Sequence, residues 1–423
     1  MAGTKPPAQQ SAARPQVQPP AAPSAVPPAQ PEAPPAPGQA VAPGAILLPP
    51  APAAPPASAS PTRRKCAPPC WCRCRGRRPP SARPCPTPPS WPCSSLGDSR
   101  FNLIPLDTRG TADGAVTAAA QALAQGADIL LGPLFSAEVK AAAPLAREHL
   151  VPMVAFTTDR SVLGNGVYTL GFLPDSQVTR VIGYARSQGR ERFALLARSD
   201  DYGRAVADAF RAAVPAQGGR VVKVEYYDPH AADLSAAVRR LTDADARGRG
   251  KGKETNQATG PVPFDAVMIP DEGTRLRSLA SLATYYDVNP EQASFLGTLL
   301  WDDPRLANEP SLQGGLYPAP PVAAHQDFEA RYSRAFGQLP ARLSGIASIA
   351  YDATALAAIL ARQPQGDYST QSLTNPAGFA GVDGVFRLSP DGTSERGLAV
   401  RQITAAGPRE VSPAPTSFAV PGQ

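Results

Sequence analysis

Residues 101–298 alternate between short apolar segments and longer alanine-rich segments, and this alternation leaves the chain few possible folds. The short segments predict strands at 101–107, 127–132, 152–156, 167–172, 192–198, 220–227, 264–270 and 294–298. The longer segments predict helices at 111–125, 136–149, 175–189, 204–213 and 234–243, and a further helix that ends at Tyr286. Residues 315–321, GLYPAPP, are interpreted as a loop because they are rich in proline.

The strand segments are apolar throughout rather than at every second position. This pattern is typical of parallel strands that are covered by helices on both faces. The strands are too many for one small sheet, so we predict an α/β protein with two doubly wound parallel-sheet lobes. In such folds ligands bind at the carboxyl ends of the strands, which places a ligand cleft between the lobes.

Proline is distributed unevenly, and most of the 52 prolines lie before the alternating region. Residues 1–62 contain almost no large apolar side chains to bury, so we expect a disordered Pro/Ala-rich tether. At about 3.1 Å per residue, an extended tether of this kind could reach roughly 170 Å. The first residues show no apolar export signal, and no apolar run approaches the length of a membrane span.

The net charge of +6 is concentrated in two basic runs, one within residues 63–78 and one at 246–253. Apart from Trp71, neither run has interleaved aromatic residues, and neither has a recognition helix, so we expect no nucleic-acid partner. Residues 244–262 are polar and glycine-rich, and they are interpreted as a flexible insertion.

All six cysteines fall within the Cys/Arg/Pro-rich segment 63–98. One interpretation is a metal or disulfide knot, but the spacing lacks the paired CxxC arms of zinc sites. The other interpretation is that this segment is translated out of frame from GC-rich DNA. A shifted frame can give LLVPLSGP followed by an Ala/Leu-rich helix, with the original frame restored near Leu96. If the written frame is correct, the first lobe lacks its first strand.

Three runs carry a resemblance to a known family: GPLFSAEVKAAAPLAREHLVPMVAFTTD, YTLGFLPDSQVTRVIGYARSQG and RFALLARSDDYGRAVADAFR. They resemble type I periplasmic binding proteins, which include Leu/Ile/Val-binding proteins, and look closest to the penicillin-binding protein activators. The run FAGVDGVFRLSPDGTSERGLAVRQI resembles the closing hairpin of the group, and LLVPLSGP resembles its first strand. We expect lobe 1 at 99–174, lobe 2 at 175–310, a return to lobe 1 with the hairpin at 311–405, and a flexible tail at 406–423.

Candidate cleft residues follow the predicted strands. Gly132 precedes a predicted helix whose free N–H groups, with the Ser136 hydroxyl, could hold a carboxylate. The alternative is that Ser136 only caps this helix. The resemblance implies that Thr157 and Thr158 hydrogen-bond an amino-acid ligand and that Tyr202 closes the cleft from the second lobe. A capped turn is the alternative for the two threonines.

Acidic and aromatic residues also follow strands of the second lobe. Asp271, Trp301 and Asp302 are candidates to contact a ligand, and an aspartate there could pair with a ligand ammonium. Asp271 could instead cap the following helix. We expect no metal site and no cofactor. The three histidines, His149, His230 and His325, are scattered, and no nucleophile motif or P-loop is present, so we expect no enzymatic activity.

Three functions fit these features. The first is a cell-envelope protein, with or without a lipid anchor, that docks onto and activates a peptidoglycan synthase. The tether and the bulky Leu134 and Phe135 favour this function. The second is a periplasmic solute-binding protein that delivers an amino acid or similar small molecule to the membrane subunits of an ABC transporter. The third is a ligand sensor that closes and signals to a partner. The resemblance places the first slightly ahead.

Overall fold

The computed structural model describes residues 46–47, 101–248, 260–363 and 366–418. The cysteine-rich segment, almost all of the expected tether and the centre of the expected insertion lie outside the described residues. The described strands are β1 Ile46–Leu47, β2 Leu130–Leu131, β3 Met153–Ala155, β4 Val167–Thr169, β5 Arg192–Arg198, β6 Arg220–Tyr227, β7 Ala266–Met268, β8 Ser294–Leu296, β9 Leu316–Ala319, β10 Phe379–Gly381, β11 Gly384–Leu388, β12 Ser394–Arg396, β13 Ala399–Thr404 and β14 Gly407–Ser412.

The six described helices up to residue 285 lie between strands in the order that the sequence pattern predicts, and the three helices described after residue 321 have no counterpart among the predicted ones. They are α1 Ala112–Ala124, α2 Ser136–Glu148, α3 Pro174–Ser187, α4 Asp201–Ala216, α5 Ser235–Leu241, α6 Gly273–Tyr285, α7 Val322–Phe336, α8 Ala341–Leu360 and α9 Thr370–Leu373. Helix α4 begins earlier than predicted because the Asp200 carboxylate accepts a hydrogen bond from the backbone of Gly203 at 2.9 Å. Gly203 packs so closely on β5 that an added Cβ would lie 1.9 Å from the carbonyl oxygen of Arg198.

The described strands form three sheets. The first lobe contains a three-stranded parallel sheet of order β2-β3-β4 and a four-stranded sheet of order β1-β10-β11-β12. The second lobe contains a seven-stranded sheet of order β14-β13-β9-β8-β7-β5-β6, in which β6, β5, β7, β8 and β9 run parallel. Strands β13 and β14 join its edge in antiparallel orientation.

Helices cover both faces of the parallel sheets. In β5, Phe193 and Leu195 pack with α3 and α4, whereas Ala194 and Leu196 pack with α5 and α6. In β3, Met153 packs with α1 and α2, and its neighbour Val154 packs with α7 and α8. Each strand is therefore buried on both sides, and the predicted doubly wound α/β architecture is confirmed.

Three short segments connect the two lobes, at residues 170–173, 320–321 and 397–398. The expected return to lobe 1 at 311–405 is therefore only partly correct. Strand β9 still belongs to the second lobe, and β13 returns to it, because both pair within the seven-stranded sheet. The expected flexible tail at 406–423 is wrong for its first residues, which form β14.

Two further predictions are wrong. Residues 101–107 form no strand. Residues 315–321 are not a loop, since β9 lies there between β8 and β13. The ends of the expected insertion at 244–262 are held in place where they are described: Ala244 is buried, and Arg247 donates hydrogen bonds to the carbonyls of Thr242 and Gly260 at 2.8 and 3.0 Å.

Helix α8 has the length and apolar composition to cross a membrane over Leu343–Leu360, contrary to the expectation that no segment approaches this length. Within the protein, however, 72% of that segment is buried. Its side chains, among them Tyr351 and Leu356, pack in the core of the first lobe. This is the environment of a core helix, and by itself the composition of α8 is weak evidence for a membrane span.

Candidate ligand cleft

The loop after β2 positions the first candidate residues. Gly132 is buried with a φ of 96°, and its N–H donates to the carbonyl of Val154 at 2.8 Å. Helix α2 begins at Ser136, so Phe135, not Ser136, is the N-cap residue. The buried Glu138 carboxylate accepts a hydrogen bond from the Phe135 N–H at 3.2 Å and another from the Thr108 hydroxyl at 2.6 Å. The hydroxyl of Ser136 is therefore not used as the cap.

Ser136 contributes to a cluster around Asp159. Hydrogen bonds, first from the Ser161 side chain and backbone and then from Ser136, lower the pKa of Asp159. The Asp159 carboxylate accepts the Ser161 N–H at 2.9 Å. An ionised carboxylate so close to Ser136 repels a ligand carboxylate, so the predicted anion site at this helix end is less favourable than the helix dipole alone would make it.

The two threonines after β3 differ sharply in exposure. Thr157 is only 6% exposed; its hydroxyl oxygen accepts the Asp159 N–H at 3.1 Å, and its carbonyl accepts the Thr169 hydroxyl at 2.5 Å. These bonds make Thr157 part of a turn, as the alternative interpretation expects. Thr158 is exposed, and within the described ranges its hydroxyl makes no hydrogen bond. Only Thr158 presents a free hydroxyl at this strand end.

Tyr202 lies on the first turn of α4 at the edge of the second lobe. Its hydroxyl donates to the Thr298 hydroxyl at 3.0 Å, and the guanidinium of Arg198 lies 5.1 Å from its ring centre. Burial raises the pKa of Tyr202 to about 12. The tyrosine therefore stays protonated and presents an apolar ring edge, held between the ends of β5 and β8.

Asp271 follows β7 and is 2% exposed. Its carboxylate accepts hydrogen bonds from the Tyr227 hydroxyl and, at 2.7 Å, from the N–H of Glu272, and Arg198 lies 3.9 Å away. Burial raises the pKa of Tyr227, and the hydrogen bond to Asp271 raises it further. Asp271 is thus already paired inside the lobe. The neighbouring Glu272 is exposed, is itself the N-cap residue of α6, and makes no capping hydrogen bond with its side chain.

The last two candidates serve the packing of the second lobe. Trp301 is fully buried in its core, and its indole N–H donates to the carbonyl of Ile269 at 3.1 Å. Asp302 accepts two hydrogen bonds from Arg401, at 2.8 and 3.0 Å, and one from the Tyr317 hydroxyl at 3.1 Å. The position of Trp301 conflicts with a ligand contact because the tryptophan has no exposed surface, whereas Asp302 is partly exposed and its charge is already paired with Arg401.

The structure therefore groups the candidates by lobe. Gly132, Ser136, Thr157 and Thr158 lie at strand ends of the first lobe, and Tyr202 and Asp271 at strand ends of the second. No hydrogen bond or ion pair joins the two groups among the described residues. Sequence reasoning missed Arg198, Tyr227, Thr298 and Glu272, although each one ends or follows a strand, the feature that identified the other candidates.

The described residues contain no group of three or more His, Cys, Asp or Glu side chains that could hold a metal ion. A cavity of about 440 Å³ lies elsewhere, against two of the segments that connect the lobes, and none of the eight candidate residues lines it.

Comparison with known proteins adds a family and a fold. Residues 96–408 match the sequence model of a family described as periplasmic binding protein. A search of curated protein sequences gave no match. The described architecture is similar to the leucine-binding protein LivK of Thermotoga maritima, with 20% identity and a TM-score of 0.51 over 75% of this chain and 89% of that one.

Two further solved structures share the architecture. A putative branched-chain amino acid ABC transporter protein of Rhodospirillum rubrum has 17% identity and a TM-score of 0.61, over 74% of this chain and 88% of that one. An ABC transporter substrate-binding protein of Desulfitobacterium hafniense in complex with Leu has 19% identity and a TM-score of 0.52, over 73% and 88%. At these identities the likeness establishes the fold and not the ligand.

Proposed function

Because this chain belongs to the periplasmic binding protein family, we propose that it is the solute-binding component of an ABC transporter and captures an amino acid or a similar small molecule. The family implies a periplasmic or extracellular location and is generally non-catalytic. The transporter's membrane subunits are then its partners, and the protein itself carries out no reaction. A lipid anchor would keep it beside those subunits.

This proposal rests on one observation: two doubly wound lobes, each with polar residues at its strand ends, are joined by three short connections. Ligands of open α/β sheets bind outside the carboxyl ends of the strands. Short connections allow two rigid lobes to rotate about a hinge and enclose a ligand. Binding and release then need no covalent chemistry, only a difference in affinity between the open and closed arrangements.

The free polar groups suggest how an amino acid is held. Glu272 is the exposed carboxylate at the β7 end of the second lobe, and it is suited to pair with a ligand ammonium, since Asp271 is already occupied. In the first lobe, the exposed hydroxyl of Thr158 is available to the ligand carboxylate. The half-buried ring of Tyr202 supplies an apolar surface for the ligand side chain.

Docking onto a peptidoglycan synthase, the function ranked first from the sequence, is now ranked second. It rests on the tether and on the sequence resemblance to penicillin-binding protein activators, whereas the structural similarities support the transporter alternative. We therefore rank solute capture above synthase activation. If the protein binds a synthase and responds to no ligand, synthase activation becomes the preferred function.

The test is a ligand screen on the full chain. Thermal unfolding is measured with each of the twenty amino acids, and any hit is confirmed by calorimetry. A ligand at a hundred times its Kd is expected to stabilise the folded state by about 2.7 kcal/mol. If no ligand shifts the unfolding temperature while a peptidoglycan synthase is retained by the immobilised protein, the solute-binding proposal is wrong.

The role of Glu272 is tested on the best amino-acid ligand. Glu272→Gln removes the charge that pairs with the ammonium, and affinity is expected to fall roughly tenfold or more, as for loss of a hydrogen bond to a charged group. Glu291→Gln is the matched control, because Glu291 is exposed in the same lobe but follows no strand. Equal affinities in the two variants would remove Glu272 from the site and leave the transporter proposal standing.

A further inference from the structure

The segment at residues 413–418, which we name the C-terminal strap, leaves the second lobe after β14 and ends against the first lobe. At its start, Arg180 of α3 donates to the carbonyl of Pro413 at 2.9 Å and to the Ser412 hydroxyl at 2.7 Å. Helix α3 packs in the core of the second lobe. The first end of the strap is therefore fixed to that lobe by a cation with several acceptors.

The middle of the strap lies on one of the connections between the lobes. Pro415 packs so closely on Gly397 that an added Cβ there would lie 2.8 Å from the proline ring. The same Arg180 donates from Nε to the carbonyl of Leu398 at 2.6 Å. One side chain thus holds both the strap and residues 397–398 of the connection.

At the far end of the described strap, the aromatic side chain of Phe418 contacts the first lobe. The Arg387 guanidinium of β11 lies 4.7 Å from the ring centre of Phe418. The Phe418 ring also packs on Gly378, where an added Cβ would approach it to 3.0 Å. Phe418 is only partly buried, so this contact is weaker than the set of hydrogen bonds at Arg180.

The cavity of about 440 Å³ lies beneath this segment. Its walls include Arg160 of the first lobe, Arg180 of the second, the connection residue Leu398, and Ser417 and Phe418 of the strap. Both lobes, one connection and the strap therefore line the same open groove. The strap therefore crosses one of the connections between the two lobes.

We propose that the C-terminal strap is a latch across the hinge, fixed at Arg180 and released at Phe418 when the lobes rotate. It adds a non-covalent link to the three covalent connections and favours the lobe angle that brings Phe418 onto Arg387. Rotation breaks the weaker contact at Phe418 first. The strength of this contact then sets part of the equilibrium between lobe arrangements. The proposal does not depend on which ligand, if any, the protein binds.

The test is hydrogen exchange on the full chain, read by mass spectrometry in peptides that cover residues 170–173 and 397–398. Phe418→Ala is expected to speed exchange there on the order of two- to fivefold, the equivalent of one exposed cation–π contact. Peptides from β5 in the core of the second lobe are expected to be unchanged. Tyr285→Ala is the matched control, because Tyr285 is an exposed aromatic on α6, far along the chain from the connections.

A second variant ends the chain at Ser412 and removes the strap entirely. It is expected to reproduce the local acceleration of Phe418→Ala, since both lose the contact with Arg387. Unchanged exchange at the connections in both variants would overturn the latch. Acceleration throughout the second lobe, β5 included, would also overturn it, because the strap would then be an ordinary part of the folded core.

Discussion

Replacing Arg396 by methionine is expected to destabilise the protein by about 3–5 kcal/mol, because it leaves the carboxylate of Asp352 buried without a counter-charge. Arg396 is 4% exposed and Asp352 is fully buried, and Nη1 of the arginine lies 3.6 Å from Oδ2 of the aspartate. The guanidinium also donates to the carbonyl of Leu170 at 2.9 Å and lies 4.5 Å from the ring centre of Phe172. Methionine keeps the apolar stem and loses all of these polar contacts.

The loss is expected to depend on pH in a defined direction. Burial raises the pKa of Asp352 above its ordinary value of 3.8, and Arg396 opposes that rise. A carboxyl whose pKa is raised in the folded state favours unfolding as pH increases above its pKa in the unfolded chain. Arg396→Met removes the opposing cation. The unfolded chains titrate alike, so the deficit of the variant relative to the natural chain grows only as pH rises above the folded-state pKa of Asp352 in the natural chain, about 7.

The assay is urea unfolding followed by circular dichroism at pH 4.5 and pH 7.5. The double variant Asp352→Asn/Arg396→Met removes both charges, and it is expected to recover at least half of the loss at pH 7.5. Arg211→Met is the matched control, since Arg211 pairs with Asp208 on the surface and such pairs contribute about 0–1 kcal/mol. A deficit of less than about 1 kcal/mol at pH 7.5, or no recovery in the double variant, would refute the buried-charge argument.

Three further outcomes are expected. Burial lowers the pKa of His325, but the nearby carboxylates, above all Asp383 at 2.7 Å, outweigh burial and raise the pKa above 6.5. The charged imidazolium therefore stabilises the folded state fully below pH 6.5, and this stabilisation is lost as pH rises through the folded-state pKa. His325→Gln is therefore expected to lose more stability at pH 6 than at pH 8.5 in the same urea assay. Tyr202→Phe removes the hydrogen bond to Thr298 and is expected to lose about 0.5–1.5 kcal/mol, measured by urea unfolding, while Tyr202→Ala loses more. Resequencing codons 60–100 is expected to show a base gained or lost near Lys65 with compensation near Leu96; a confirmed frame would make metal content the next measurement.

The sequence predicts the parallel lobes well because burial on both faces leaves a direct signature. In β5 the five residues between the terminal arginines are apolar, as is every residue of β7, and a helix follows each strand. The edges are harder to predict. Pro318 lies inside β9, and proline argues against a central strand. Proline is tolerated here because β8 pairs with β9 only at Leu316. Pro318 therefore has no partner on β8, and its missing N–H costs no hydrogen bond to that strand.

Residues 101–107 show the opposite case, a strand-like sequence that forms no strand. An apolar run becomes a strand only where a neighbour supplies hydrogen bonds. Strand β2 pairs with β3 on one side, and no described strand pairs with its other side. The out-of-frame interpretation predicts that LLVPLSGP supplies the missing neighbour, in which case residues 101–107 would gain a partner in the corrected chain.

The candidate site was predictable in position and not in detail. That a polar residue follows a strand can be read from the sequence, but the direction of its side chain cannot. Trp301 and Glu272 both follow strands, yet one fills the core and the other is exposed. Asp302 is neutralised by Arg401, which lies 99 residues away in the chain, so no local pattern could have shown that its charge is already paired.

The three connections between the lobes share one chemical feature. Each has a backbone carbonyl that accepts a hydrogen bond from a distant arginine: Leu170 from Arg396 at 2.9 Å, Pro320 from Arg401 at 2.8 Å and Leu398 from Arg180 at 2.6 Å. A connection between sheets has no strand partner for these carbonyls, and an unpaired buried carbonyl is unfavourable. An arginine side chain is long and carries five donors, so it can follow a carbonyl through a rotation that would break a strand ladder. The connections can therefore twist while their polar groups stay paired, which is the property that a hinge between two binding lobes requires.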